Sequence, residues 1–148
     1  KNKMKKIKAY AHCDGPCGVY DPASARVAGE AVLSMTKKML SLECPETNNS
    51  QAMASYLNTM SRYASVKENQ AQECKRELLV LWTDYFKPNH LEKYPNLHEL
   101  FWNAAKMCSA CKTEVSVEHA NELMDMIKEI HKIFWSSKDR DVQWVTAG

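Results

Sequence analysis

His12-Cys13-Asp14-Gly15-Pro16-Cys17-Gly18-Val19-Tyr20-Asp21-Pro22 is the stretch on which the reading of this chain turns. Its first nine residues, His12 to Tyr20, carry an imidazole, two thiols, a carboxylate and a phenol. Gly15, Pro16 and Gly18 specify a tight turn rather than a helix or a strand. Such a turn folds both sulfurs back toward one point. Asp21-Pro22 reads as an N-cap followed by proline at the first helical position, so a helix starts there. The expected local object is a hook of soft ligands clamped to a helix N-terminus.

Outward from the hook, the pattern is helical. A first helix is expected from about Pro22 to Glu43, with Ala25, Ala28, Val32, Met35, Met39 and Leu42 on one apolar face. Gly29 either weakens it or allows close packing. Cys44-Pro45 ends it. A second begins near Ser50, with Met53, Tyr56, Leu57, Met60, Tyr63 and Ala64 as its stripe. Its segment from Lys67 to Lys75 is mostly polar, so a bend or a solvated stretch is expected there. From Leu78 to Phe86 it becomes apolar nearly all round, which suggests burial on most sides and subunit contacts as well as core. Pro88 ends it, and Asn89 to Tyr94 reads as a connector. A third helix opens at Pro95, its face made by Leu97, Leu100, Phe101, Ala104, Ala105 and Cys108. A fourth starts near Ser116, a plausible N-cap with Glu118 in the first turn. Ala120, Leu123, Met124, Ile127, Ile130 and Phe134 form its stripe. No alternating strand pattern occurs. The fold class expected is all-α, a four-helix bundle over about 22–137 with an N-terminal metal-binding hook and a polar tail that docks or hangs free.

Length and composition bound the function. At 148 residues this is one domain. Lys1, Lys3, Lys5, Lys6 and Lys8 put five positive charges before the hook, and without them fifteen basic and eighteen acidic residues leave a body of −3. That body has no nucleic-acid surface in its composition. No apolar run reaches the ~18 residues of a membrane span. Cys44, Cys74, Cys108 and Cys111 sit in helical patterns, and a helical body of this size needs no disulfide framework. Cys108-Ser109-Ala110-Cys111 lacks a second pair and a βαβ context, so buried helical thiols outweigh zinc or redox chemistry there. A reducing compartment, the cytoplasm, fits this cysteine usage. An organelle is the alternative if residues 1–11 belong to a longer targeting segment. Those residues read as a basic leader, with Ala9-Tyr10-Ala11 as a small-x-small cleavage site; no apolar core precedes it in the stretch given, so it is not a secretory signal as it stands.

The hook's residue types admit several chemistries. Thiolates select soft or borderline metals, and imidazole suits zinc, copper, iron and nickel. Cys13 and Cys17 supply thiolates, and a backbone nitrogen between His12 and Cys13 lies within chelate reach. Two nitrogens and two sulfurs in a plane suit nickel(II), with an imidazole free to approach axially. A Cys13–Cys17 disulfide is equally possible sterically. A lone C-x3-C pair lacks the second half of a structural zinc site. On spacing alone, metal, disulfide and unrelated thiols rank about equally.

A resemblance separates them. The run from His12 to Pro22 resembles the nickel hook of nickel-containing superoxide dismutases. A second stretch, Leu81-Trp82-Thr83-Asp84-Tyr85-Phe86-Lys87-Pro88-Asn89-His90-Leu91-Glu92-Lys93-Tyr94-Pro95, is similar to that family's D-Y-F-K-P-x-H-x-E-K-Y-P segment. Ile133-Phe134-Trp135 is a third match. The likeness covers roughly His12 to Lys138.

The resemblance implies superoxide disproportionation to oxygen and hydrogen peroxide by Ni(II)/Ni(III) cycling, with one nickel ion per subunit. The ligands it implies are the His12 amine and imidazole, the Cys13 amide nitrogen, and the Cys13 and Cys17 thiolates. Thiolates are needed because nickel held by oxygen or nitrogen alone is too hard to oxidise. Tyr20 and Tyr85 match tyrosines lining the approach to the metal, where phenols can hydrogen-bond a small anion or water. Lys87 adds attraction for an anion, and Asp14 holds the turn. The family also implies a homohexamer, and a leader removed by a protease immediately before His12, leaving residues 12–148 as the active domain. One departure stands out: relatives carry Glu where this chain has Ala28 and Arg where it has Gln70, charges that support the axial imidazole. Glu30 and Arg62 are nearby but shifted. His90, His98, His119 and His131 have no i,i+4 pairing and read as surface or satisfied histidines. The competing readings are a non-catalytic nickel or copper chelator and, third, a thiol-redox protein. Tyr20 and the distant D-Y-F-K-P segment argue against a carrier, which needs neither.

Overall fold

The computed structural model describes residues 17–148. Four long helices make the body: α1 (Ala23–Ser41), α2 (Ser50–Val80), α4 (Leu97–Thr113) and α5 (Val117–Ser137). A single short helix, α3 (His90–Lys93), interrupts the connector before α4. Among the described residues there is no strand. α1 packs on α2 and α5, and α4 packs on the same two, so the long helices close a ring around one core. Ala25, Val32, Ala71, Cys74, Leu78, Phe101, Ala104, Leu123, Ile127, Ile130 and Phe134 fill it. The all-helical bundle is as the sequence indicates, with α1 ending two residues early and α4 opening at Leu97 rather than Pro95.

The helix starts follow their caps. The Asp21 carboxylate accepts from the Ala23 amide at 2.8 Å, and Pro22 already has helical dihedrals. Ser116 accepts from the His119 amide at 3.1 Å, so the cap expected at α5 is in place. Gly29 serves close packing: a Cβ there would lie 2.7 Å from Ile127 Cδ1 and 2.9 Å from Met124 Sδ. Those atoms belong to α5, so α1 and α5 approach at the one position without a side chain.

Two expectations about α2 are corrected. The stretch from Lys67 to Lys75 is unbroken α-helix, and only one of its faces, with Glu68, Asn69 and Gln72, is solvated. Lys67, Ala71, Cys74 and Leu78 form a continuous buried stripe, and Lys67 is only 3% exposed. Its stem lies in the core while its ammonium donates to the carbonyls of Cys111, Lys112 (3.1 Å) and Glu114 (2.9 Å). Three donors meet three carbonyls at the end of α4, where helix carbonyls lack intrahelical partners. Burial pulls the Lys67 pKa below its ordinary value, against the attraction of Cys111 and Glu68. Lys67→Met would keep the stem and strand the carbonyls. The expected loss is about 2–4 kcal/mol, read as a lower urea midpoint with native helix content before the transition. A loss below about 0.5 kcal/mol would mean that water serves those carbonyls as well.

The second correction concerns Leu78–Phe86. α2 does not run through it: Leu81–Tyr85 is a π-helical turn, closed by the Phe86 amide on the Leu81 carbonyl at 3.1 Å. Leu78, Leu81 and Phe86 are buried within this chain's own core. Large apolar side chains stand exposed elsewhere, at Val27, Leu40, Leu57 and Trp102. Leu57, expected on the apolar stripe of α2, is 57% exposed.

The tail docks. The Ala147 amide donates to Glu30 Oε1 at 2.6 Å, His131 Nε2 lies 2.7 Å from the Val142 carbonyl oxygen, and the Trp144 ring meets the His131 imidazole edge to face at 5.3 Å. It crosses from α5 to α1.

Candidate metal centre

The described chain starts inside the hook. His12 and Cys13, the other expected ligands, and Asp14 lie outside the described residues. Cys17 is exposed, and Gly18 follows it with φ +62°, a left-handed conformation that glycine adopts without strain. This bend carries the chain from the hook through Val19 into Tyr20, where burial begins. Beside it, Tyr20, Ser24, Glu77 and Leu81 line a recess of about 210 Å³.

The structure brings Tyr20 and Tyr85 together. Their ring centroids are 5.7 Å apart, with planes at 54°. Tyr20 reaches the contact from the loop before α1, and Tyr85 from the end of the π turn. A π turn adds a residue to the helical circuit and re-aims the side chains after it. Here it delivers Tyr85 onto Phe134 of α5 at 4.5 Å, with Phe86 edge-on at 4.9 Å.

Three residues around Tyr85 were not singled out from the sequence. The His90 ring lies nearly parallel to it at 5.8 Å and 13°. His90 Nδ1 accepts from the Lys87 amide at 2.9 Å, so the neutral ring carries its proton on Nε2. The Tyr85 hydroxyl is 2.6 Å from Ser137 Oγ. Lys138 Nζ stands 5.2 Å from the Tyr85 ring and from the Phe134 ring, a cation on the face of the phenol. His90 belongs to the quoted D-Y-F-K-P-x-H match, which was the signal available. Ser137 and Lys138 had none, because they come from the far end of the chain.

Lys87 is exposed, with its ammonium on the Asp84 carbonyl at 2.8 Å. Ala28 is buried and Gln70 half-buried, so neither expected charge is supplied there. Glu30 is not spare, since its carboxylate takes Arg26 and the Ala147 amide. His98 accepts from Trp82 Nε1 at 2.8 Å, and His119 lies 2.9 Å from the Glu114 carboxylate. His98 is a satisfied structural histidine, as is His131 under the tail.

Three of the four remaining thiols are set apart from Cys17 by burial; Cys44, expected in a helical pattern, lies beyond the end of α1 and is exposed. Cys74, Cys108 and Cys111 are buried. Burial, with Cys108 beside it, pushes the Cys111 thiol up to about 11. Hydrogen bonding to Cys108, with burial, raises Cys74 as well. With their thiols raised, Cys74 and Cys111 are poor nucleophiles and poor ligands, whereas Cys17 and Cys44 are open to solvent.

The family model for nickel-containing superoxide dismutase matches residues 7–138. The chain belongs to the nickel-containing superoxide dismutase family. Membership makes it a nickel-containing oxidoreductase. It is 42% identical over 133 residues to the Streptomyces seoulensis "Superoxide dismutase [Ni]", covering 90% of this chain and 92% of that protein. The protein of the same name from Streptomyces coelicolor is 40% identical with the same coverage. Among solved structures, a Ni-containing superoxide dismutase with ligation corresponding to the oxidised state matches with a TM-score of 0.74 and 41% identity, covering 86% of this chain and 99% of that one. A native nickel superoxide dismutase matches at 0.72 and 39%. The tail beyond Lys138 lies outside the family match.

The donor set fits the metal. Cys17 is a solvent-open thiol three residues before the first of two paired phenols, and His12 and Cys13 of the same short stretch of sequence add an imidazole, a thiolate and backbone nitrogen.

Proposed function

We propose that this nickel superoxide dismutase disproportionates superoxide to oxygen and hydrogen peroxide at a hook formed by His12, Cys13 and Cys17. The observation that carries the reading is the Tyr20–Tyr85 pair at the base of the hook. A metal carrier has no use for two phenols drawn from distant parts of the chain. Bound there, nickel would supply one-electron redox chemistry between Ni(II) and Ni(III), with thiolates favouring the higher state.

The chain's own residues do the rest. Gly18 supplies the left-handed bend that leads from Cys17 into the bundle. Tyr20 and Tyr85 present hydroxyls, which can donate and accept, to a small anion or to water. His90, Phe86 and Phe134 hold the Tyr85 ring, and Lys138 places positive charge beside it. In processed protein, about one nickel per chain is expected, from the donor count of one hook. Zinc or iron at that stoichiometry with full superoxide turnover would overturn the assignment.

The active domain is residues 12–148, released by a leader-processing protease cutting before His12. We also propose a homohexamer. Its support is the family resemblance together with the apolar side chains left exposed at Leu40, Leu57 and Trp102. Sedimentation equilibrium should give about six times the chain mass; a fully active monomer would end that proposal. The free thiols of the body suit a reducing setting such as the cytoplasm.

A further inference from the structure

The Tyr85 ring is held from several sides, by Phe134 at 4.5 Å, Phe86 at 4.9 Å, Tyr20 at 5.7 Å and His90 at 5.8 Å. Its position is therefore fixed without help from polar groups. What packing leaves undetermined is the direction of one O–H bond. Only Ser137 meets that hydroxyl among the bonds found in the described residues.

Ser137 has a single proton to give. Its Oγ lies 2.6 Å from the Phe134 carbonyl, at the end of α5 where helix carbonyls lack amide partners. With that proton committed to Phe134, Ser137 Oγ is an acceptor, and the Tyr85 hydroxyl at 2.6 Å is the donor. The separation is at the short end for a neutral O–H···O bond, whose usual distance is about 2.7–2.8 Å.

We propose that Ser137 is a positioning residue for Tyr85, fixing the direction of its O–H so that the phenol oxygen keeps its lone pairs free to accept from water. The proposal rests on the reading of Tyr85 as a group lining the approach to the metal. Ser137 touches neither metal nor substrate, and acts through Tyr85 alone. The bond also lets the proton pattern reverse. If Ser137 turned its proton to Tyr85, the phenol could donate to an anion, at the cost of the Phe134 carbonyl's bond.

The test compares Ser137→Ala, Ser137→Thr, Tyr85→Phe and the Ser137→Ala/Tyr85→Phe double variant in nickel-loaded, processed protein. Ser137→Ala should lower turnover about threefold to tenfold, the size of one neutral hydrogen bond. The threonine variant keeps the hydroxyl and should restore turnover. The double variant should be no slower than Tyr85→Phe alone, because both lose the same interaction. In metal-free protein carrying 13Cζ-tyrosine, the Tyr85 resonance should move in Ser137→Ala and return in Ser137→Thr, with native helix content retained. Additive losses, or an unmoved Tyr85 resonance, would overturn the role of Ser137. A damaging Tyr85→Phe with a silent Ser137→Ala would overturn it too, while leaving Tyr85 in place. A silent Tyr85→Phe would instead remove the reading of Tyr85, and this one with it.

Discussion

Cys17→Ser, and equally Cys13→Ser, is expected to eliminate nickel retention and superoxide turnover together, with helix content unchanged. Loss of residues outside the immediate ligand set typically costs 10–100-fold in metal affinity or activity, so loss of a thiolate should exceed about 100-fold. Serine is nearly the size of cysteine, but its hydroxyl does not ionise near neutral pH and is a hard donor. The bundle does not depend on Cys17, which is exposed and precedes α1 by a left-handed glycine. Circular dichroism and metal analysis therefore separate the two effects. Cys108→Ser and Cys111→Ser are the controls. Their thiols are buried on α4, and burial raises that of Cys111, so the changes should cost stability and leave nickel content and turnover largely intact. Equal loss of turnover from all four substitutions would mark a thiol-redox protein.

A chain that keeps residues 1–11 is expected to be inactive. A primary amine binds a metal through its lone pair. With Ala11 attached, the nitrogen of His12 is an amide and must lose a proton before it can bind. The leader would also bring bulk into the coordination plane. Ligand field and redox potential would both change, and the loop could not close in the same way. Chains starting at Lys1, at Ala11 and at His12 should be compared for nickel content and superoxide turnover, with mass spectrometry on the assayed samples. Only the chain starting at His12 should do both. A chain from Lys1 that turns over superoxide equally well, its leader still attached by mass, would show that the amine is not a ligand.

Much of the bundle is legible in the sequence because caps and apolar spacing are local signals. Asp21-Pro22 and Ser116 announce the starts of α1 and α5, and the stripe from Ala120 to Phe134 is the buried face of α5. Lys67 misled because a lysine counts as polar wherever it stands, while its acceptors lie on α4, far along the chain. The π turn misled for another reason. It widens a helix by one residue without any special residue type, so Leu78–Phe86 reads as one apolar helix. Its effect appears only where Tyr85 meets Phe134. The pairing of Tyr20 with Tyr85 is visible through resemblance, whereas Ser137 and Lys138 emerge only once the end of α5 is folded back against Tyr85.

Lys67 also bears on the order in which the chain folds. Its ammonium and the carbonyls it serves are 44 to 47 residues apart in sequence. The α4 helix has only 17 residues, close to the length at which an isolated helix is marginal in water. Its last turn has no cap until the middle of α2 lies across it. The two segments therefore form as one cooperative unit, and the end of α4 does not fray on its own as helix ends usually do. Amide hydrogen exchange would show this directly: protection in the final turn of α4 would follow global unfolding, not local opening.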